Sequence, residues 1–377
     1  MKHTNHNATA VSQRICMVID SLNGGGAEAV VLRLLDTINH KVDDAEAHLI
    51  VLSQRGDYHV GNNKFIHILN FKTNKNMELF WRKSKVIDAL GCELRNIELN
   101  FGKVDAIFSH LDLTNVMVKQ LSTPIEKYYV VHNSIKLELA ADRQRGLFKY
   151  LKQKRRKQIL DGEKLICVSN GVSGELPLPW LSGSETHTIY NPFDVELIKR
   201  MAHKPRPELS EQPYILHIGR LSVQKRHDRL FEAFKELTSN HKLVLLTPET
   251  KKLKALIKKY DLTGRVVIAG FQDNPFVWMS HADLLVLSSD YEGFGNVLVE
   301  SLLCGTPVAT TNCDHGPSEI LAGFHPEWIA NDFSAKALSV VMAKILNERP
   351  AVILDQWPLF DKIKAEYAAK QYLDLIN

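Results

Sequence analysis

Asp290-Tyr-Glu-Gly-Phe-Gly-Asn-Val-Leu-Val-Glu300, continued by Ser-Leu-Leu-Cys-Gly-Thr-Pro307, is the most specific stretch of the 377 residues. The apolar run Leu284 to Ser288 before it reads as a strand. Glu292 falls in the following turn, where Gly293 and Gly295 permit tight backbone around Phe294. Asn296 to Leu303 then reads as a helix whose first amides, at Val297 and Leu298, can be offered to a phosphate. Glu300 lies about one turn in. Two carboxylates beside a phosphate site make chemical sense if they accept hydrogen bonds from hydroxyls of a sugar and a ribose. The competing reading makes Glu292 a cap and Glu300 half of a salt bridge.

Upstream, Gly219-Arg-Leu-Ser-Val-Gln-Lys225 follows another apolar run, Tyr214 to Ile218. Arg220 and Lys225 flank that loop, and two cations suit a diphosphate, Arg as a planar fork and Lys as a point charge. A solvated loop is the alternative. Near the N-terminus, Asn23-Gly-Gly-Gly-Ala-Glu28 links the run Ile15 to Asp20 to the helical pattern Ala27 to Leu35. Gly24, Gly26 and Ala29 fit G-x-G-x-x-A. A dinucleotide site is weakened by the intervening Ser21, Leu22 and Asn23. It is weakened again by Val51-Leu-Ser-Gln-Arg55, which offers no acid to a ribose. A plain surface turn is the other reading.

The rest of the chain repeats the strand–helix alternation. His48 to Ser53, Phe65 to Leu69, Ala106 to Ser109, Tyr128 to His132 and Leu165 to Ser169 are strand-like in the first half. Leu243 to Leu246, Val266 to Ala269 and Val308 to Thr311 are strand-like in the second. Such βα alternation implies parallel sheets. Lys204 to Pro213, with three prolines, reads as a boundary loop. The expectation is α/β: two doubly wound, Rossmann-like domains facing a cleft, with ligands at the carboxyl ends of the strands. The expected segments are 1–193, 194–358 and a C-terminal helix in 359–377.

Composition narrows the classes. Hydrophobic residues are 45% and charged residues 24%, which suits a globular protein and not a disordered one. Lys+Arg number 47 and Asp+Glu 43, a near balance that argues against a dedicated nucleic-acid binder. No apolar run reaches the ~18 residues of a membrane span, and the polar N-terminus does not resemble a secretory signal. Five scattered cysteines suit free thiols in a reducing compartment. Cys304, Cys313 and His315 lie close together but fit no common zinc spacing, so no metal site is expected.

Taken together, these motifs resemble the retaining GT-B glycosyltransferases of family GT4, also called group 1, over about residues 14 to 325. Glu292 and Glu300 match the family's E-x7-E motif with its Glu-Gly-Phe-Gly start. Gly219-Arg-Leu with Lys225 matches the cation pair, and the glycine turn resembles the G-G-A-E element. Ile189-Tyr-Asn-Pro192 and Ile166-Cys-Val-Ser169 match weaker signposts. The resemblance implies that Arg220, Lys225 and the amides of Val297 and Leu298 hold a donor diphosphate. Glu292 would hold the transferred sugar, Glu300 the ribose, and Gly25 and Gly26 would close on the phosphates. His132, in Val131-His-Asn133, would face the reacting sugar; by itself it reads as a buried structural histidine. The implied donor is a nucleotide sugar, UDP-linked as in much of the family. The implied chemistry is same-face displacement with retention and no metal cofactor, consistent with the absence of an Asp-x-Asp sequence. One departure is Leu246-Thr-Pro-Glu-Thr250, where many relatives have a Gly-Asp-Gly turn.

The acceptor side carries one more signal. Arg143 to Lys157 reads RQRGLFKYLKQKRRK, with eight cations and no acid; the remainder of the chain holds 39 basic against 43 acidic residues. Leu147, Phe148, Leu151 and Ile159 fit one helix face. Arg145, Lys149, Lys152, Arg155, Arg156 and Lys157 are the expected contacts to an anionic membrane surface or a lipid-linked glycan acceptor. Met77-Glu-Leu-Phe-Trp-Arg-Lys-Ser-Lys85 adds aromatic and basic residues. Ser109-His-Leu-Asp-Leu-Thr-Asn115 is similar to relatives that build lipid-linked oligosaccharide or lipopolysaccharide. The expected location is therefore cytoplasmic, peripheral on the inner face of the plasma membrane. A solvated helix face and RNA binding are alternatives for the basic run, although no RNA motif accompanies it. For the whole chain, rivals are a transferase with a water-borne acceptor, a non-catalytic nucleotide binder and a sugar-nucleotide epimerase.

Overall fold

The computed structural model describes residues 11–53, 56, 58, 60–71, 80–176, 178–205 and 212–376. Residues 206–211 of the boundary loop and 77–79 of the stretch 77–85 lie outside these residues. The chain divides into two compact units. Unit 1 holds Met1–Cys167, Leu176–Pro192 and Ala365–Asn377; unit 2 holds Val168–Glu175 and Phe193–Lys364.

Unit 1 is built on seven strands: β1 (Gln13–Ile19), β2 (Ala45–Val51), β3 (Ile66–Ile68), β4 (Ala106–His110), β5 (Glu126–Val131), β6 (Lys164–Cys167) and β7 (Glu185–Thr188). They lie in the order β3-β2-β1-β4-β5-β6-β7, and every pairing is parallel. Ile15-Cys-Met-Val-Ile19 is an unbroken apolar run because β1 is central and buried throughout. β7, Glu-Thr-His-Thr, carries no apolar residue and so gave no strand signal; it sits at the sheet edge. The strand order reverses between β1 and β4, so the carboxyl ends of those two strands flank a crevice suited to a ligand.

Unit 2 has five parallel strands: β8 (Tyr214–Ile218), β9 (Lys242–Leu246), β10 (Val266–Ile268), β11 (Leu284–Leu287) and β12 (Val308–Thr310). Their order is β10-β9-β8-β11-β12, with the reversal between β8 and β11.

Three boundaries differ from the sequence reading. Val168–Glu175, placed with the first domain by sequence, groups with unit 2. The cause is local: the Ser169 hydroxyl donates to the Gly293 carbonyl at 2.7 Å, and the amides of Asn170 and Gly171 donate to the Glu319 carboxylate. The C-terminal helix begins at Ala365 rather than 359, and Leu359–Lys364 remains with unit 2. That helix, Ala365–Asp374, packs on the helix Gly26–Lys41, and Tyr372 meets Phe108 edge-on at 5.1 Å. Finally, the basic run is not one helix. It breaks at Gly146 (φ +133°) between the helices Ile135–Gln144 and Leu147–Gln158. Among the described residues no helix is long and apolar enough to cross a membrane.

Candidate active site

In unit 2 the candidate residues gather at the strand-order reversal. Arg220 and Lys225 follow β8; Glu292 follows β11. Two loops are stitched together there. The Asp290 amide donates to the Gln224 carbonyl, the Gln224 side chain donates to the Tyr291 carbonyl, and the Ser288 hydroxyl donates to the Lys225 carbonyl at 2.8 Å. Lys225 Nζ lies 2.7 Å from Glu292 Oε1, which also accepts from the Ser289 hydroxyl at 2.5 Å. Glu292 is buried, and its Oε2 has no partner among the described residues. One oxygen is thus anchored while the other is left to accept from a hydroxyl. Arg220 is exposed and has no ion-pair partner among the described residues.

The helix Asn296–Leu303 starts immediately after Gly295, whose φ of +94° lets the chain turn into it. The Val297 amide has no acceptor among the described residues, whereas the Leu298 amide already donates to the Gly295 carbonyl at 2.9 Å. Of the two amides picked out by sequence, Val297 is therefore the one open to an anion. Phe294 and Glu300 are buried, the latter on the inner side of the helix.

In unit 1 the reversal gathers a different chemistry. Asp20 follows β1, His110 ends β4 and His132 follows β5. His110 Nδ1 and His132 Nε2 are 2.9 Å apart, a hydrogen bond in which one ring donates. Burial, with the charge of Lys157 adding to it, holds the His132 pKa down at about 4. Burial also depresses His110, so both rings are neutral near pH 7. His132 Nδ1 has no partner among the described residues. Burial raises the Asp20 pKa, opposed by hydrogen bonds from Ser21 and helped by the charge of Asp112. At the glycine turn, a Cβ on Gly25 would overlap the Glu28 carboxylate, so Gly25 makes room for a buried acid as well as for tight backbone.

Residues 199–356 match the family described as Glycosyl transferases group 1. The chain carries a group 1 glycosyl transferase domain. A relative from Campylobacter jejuni, N-acetylgalactosamine-N,N'-diacetylbacillosaminyl-diphospho-undecaprenol 4-alpha-N-acetylgalactosaminyltransferase, is 28% identical over 323 residues. The match covers 82% of this chain and 83% of that one. Among solved structures, sucrose-phosphate synthase from Thermosynechococcus elongatus aligns with a TM-score of 0.69 and 18% identity, over 97% of this chain and 96% of that one. Anabaena HepE in complex with UDP and glucose aligns at 0.66 and 18%, over 97% of each chain. The fold is thereby GT-B, as the sequence motifs implied.

The basic segment, which lies outside the matched residues, needs correction. Lys157, expected at a membrane surface, is buried; its ammonium lies 2.7 Å from Asp112 and 2.9 Å from Glu138. Burial would lower its pKa, but the two carboxylates outweigh burial and raise it. Arg145 and Lys149 both pair with Asp142, at 3.3 and 2.8 Å. Arg156 donates to Gln153 at 2.8 Å. Lys152 and Arg155 are exposed, and so are Leu147, Phe148 and Leu151 at 64, 92 and 44%. The apolar face thus points to solvent rather than into the unit.

Sequence reasoning missed the bracing around Glu292. Arg229 donates to the Ser288 carbonyl and to Asp290, both at 2.7 Å, and Arg226 pairs with Asp290 and Asp228. Gly316 (φ +71°) lies so close to the Phe294 carbonyl that any side chain would overlap it. Thr247, in the departure from the Gly-Asp-Gly turn, donates to the Gly219 carbonyl at 2.8 Å and so supports the loop bearing Arg220. Thr250 caps the next helix, Lys251–Lys259. Of Arg226, Arg229, Thr247 and Gly316 the sequence reading touched only Thr247, within Leu246-Thr-Pro-Glu-Thr250. Of the residues once weighed as metal ligands, His315 instead bonds Glu175 at 2.9 Å.

Proposed function

We propose that the chain is a retaining glycosyltransferase that moves a hexose or N-acetylhexosamine from a UDP-sugar to a lipid-carried glycan of bacterial surface polysaccharide or lipopolysaccharide. The observation that carries this reading is the Lys225–Glu292 pair together with Arg220, which has no ion-pair partner among the described residues, at the carboxyl ends of the strands where unit 2 reverses its order. Arg220 and Lys225 neutralise the departing diphosphate, assisted by the Val297 amide. Glu292 Oε2 accepts from a hydroxyl of the transferred sugar, and Glu300 from the ribose. Within unit 1, Gly25 and Gly26 present bare backbone suited to an anion, and neutral His132 presents Nδ1 to a hydroxyl.

The leaving diphosphate takes the proton of the acceptor hydroxyl as the new bond forms on the same face. Fixed cations and dipoles stabilise the separating charges without reorganising. Because side chains supply the positive charge, turnover is expected to survive a chelator. The lipid acceptor is supported by the name of the Campylobacter relative, whose acceptor is a diphospho-undecaprenol glycan. It is supported too by the exposed Leu147, Phe148 and Leu151 on a basic helix, which suits peripheral contact with the inner face of a plasma membrane.

Thermal shift across nucleotides and nucleotide sugars tests the donor. A ligand at 100 times its Kd stabilises by ~2.7 kcal/mol. UDP and one UDP-sugar should shift the midpoint selectively, and Arg220→Ala should abolish the shift. No shift with any nucleotide would refute the transferase reading. Anomeric analysis of the product by NMR then decides retention.

A further inference from the structure

The carboxyl end of β4 holds a buried imidazole to which the proposed reaction gives no task. His110 is wholly buried, its Nδ1 lies 2.9 Å from His132 Nε2, and its Nε2 has no partner among the described residues. The two ring centres are 5.2 Å apart with planes 34° from parallel. The rings therefore meet edge to edge, along the direction of an imidazole lone pair, and are not stacked. His132 is only half-buried, and its Nδ1 is the nitrogen left over.

The backbone is committed to this arrangement. Leu111, directly after His110, has φ +73° and ψ 153°, a combination that is essentially glycine's alone. Contacts on both sides hold it there. The Ser109 hydroxyl donates to Asn115 Oδ1 at 2.7 Å, the Asn115 amide donates to the Leu111 carbonyl at 3.0 Å, and Asp112 is paired with buried Lys157. Strain maintained in this way fixes the residue beside it.

Proton counting then gives the shared bond a direction. Burial keeps both rings neutral near pH 7, so each has one N–H. If His132 donated, the single N–H of His110 would sit on Nε2, buried and without an acceptor. If His110 donates from Nδ1, only a lone pair is left at its Nε2. As in the backbone, a stranded buried N–H is rarer than a spare acceptor, so His110 is the donor. Accepting at Nε2 places the proton of His132 on Nδ1. We infer that His110 is a positioning residue that fixes His132 as the Nδ1–H tautomer, so that His132 donates to a substrate hydroxyl oxygen and does not accept from it. This inference rests on the transferase reading above and assigns the polarity of one of its contacts.

The test uses the full chain with nitrogen-15 histidine. Proton–nitrogen correlation NMR distinguishes a protonated from a bare ring nitrogen, and His132→Ala assigns the His132 signals by their loss. His132 should show Nδ1 protonated and Nε2 bare at neutral pH. His110→Leu should release the tautomer and lower kcat ~10-fold, the scale for losing a partner that orients a working imidazole, with KM for the nucleotide sugar little changed. His110→Asn, which keeps a donor near the Nδ1 position, should recover most of that loss. In a His132→Ala background, His110→Leu should cost nothing further, because it acts only through His132. Unchanged UDP affinity and a cooperative melt show that the variants fold. A proton on His132 Nε2 overturns the inference. So does a loss of the same size in the His132→Ala background, or a folded Asn variant no better than the Leu variant. Nδ1 protonated in a chain that binds no UDP and turns over no nucleotide sugar would instead sink the transferase reading and leave the tautomer assignment standing.

Discussion

Glu292 has two oxygens with different tasks. Lys225 and Ser289 hold Oε1, leaving Oε2 without a partner among the described residues. Glu292→Ala should lower turnover by ~10²–10³-fold, the range for removing one preorganised polar group. Lys225 is one-fifth exposed and can rehydrate, so the melting midpoint should move little. Near-normal turnover in a steady-state assay would contradict the role. Gly316 makes the opposite prediction. Its φ of +71° and its closeness to the Phe294 carbonyl exclude a side chain. Gly316→Ala should therefore displace the Glu-Gly-Phe-Gly turn, costing about 1–2 kcal/mol in backbone strain alone, and should weaken UDP binding. Thermal melts and UDP titration check both effects. Glu292 was legible in the sequence because its spacing to Glu300 is a pattern along the chain. Arg229 and Thr247 were not, because their partners lie 28 to 61 residues away and only the fold brings them together.

The helix Leu147–Gln158 has two faces with separate roles. Its buried face ends in Lys157, bridging Asp112 and Glu138, which start or lie within the helices after β4 and β5. Lys157→Met should destabilise by about 2 kcal/mol, since it leaves two carboxylates, each roughly a quarter exposed, short of a charge partner. Denaturant unfolding measures this, and an unchanged midpoint would refute it. The outer face should bind anionic vesicles. Lys152→Gln with Arg155→Gln should reduce sedimentation with phosphatidylglycerol vesicles, and raised salt should mimic the substitution. Equal binding at low salt would remove the membrane assignment. The sequence announced a basic amphipathic stretch but not which cations face inward. Charge count carries no information on orientation, and the break at Gly146 changes the phase of everything after it.

Across the molecule, acid should be destabilising before it is inactivating. Burial lowers the pKa of His48, His132 and His227 to about 4, against partial support of the charged form of His48 by Glu46. His110 and His217 are depressed further. The unfolded chain binds more protons than the folded one between about pH 6.5 and 4. Stability contributed by these rings is present above pH 6.5 and is lost as pH falls toward 4. Melting midpoints measured from pH 8 to 4 should fall steadily below 6.5, and a flat profile would contradict the assignment. At this scale the two-sheet architecture was legible because central parallel strands are apolar on both faces, as β1 and β8 are. Edge strand β7 was not, since an edge can be polar. The division into units was only partly legible. The chain passes from one unit to the other after Cys167, Glu175, Pro192 and Lys364, so neither unit is one uninterrupted stretch. Recombination between relatives therefore has a natural grammar here. A single crossover near residue 193 transplants the first half without Tyr372, whose ring meets Phe108 edge-on, and without the Ser169 hydroxyl's proper partner at Gly293. A chimera that exchanges unit 1 intact must carry residues 365–376 with the first half and leave 168–175 behind.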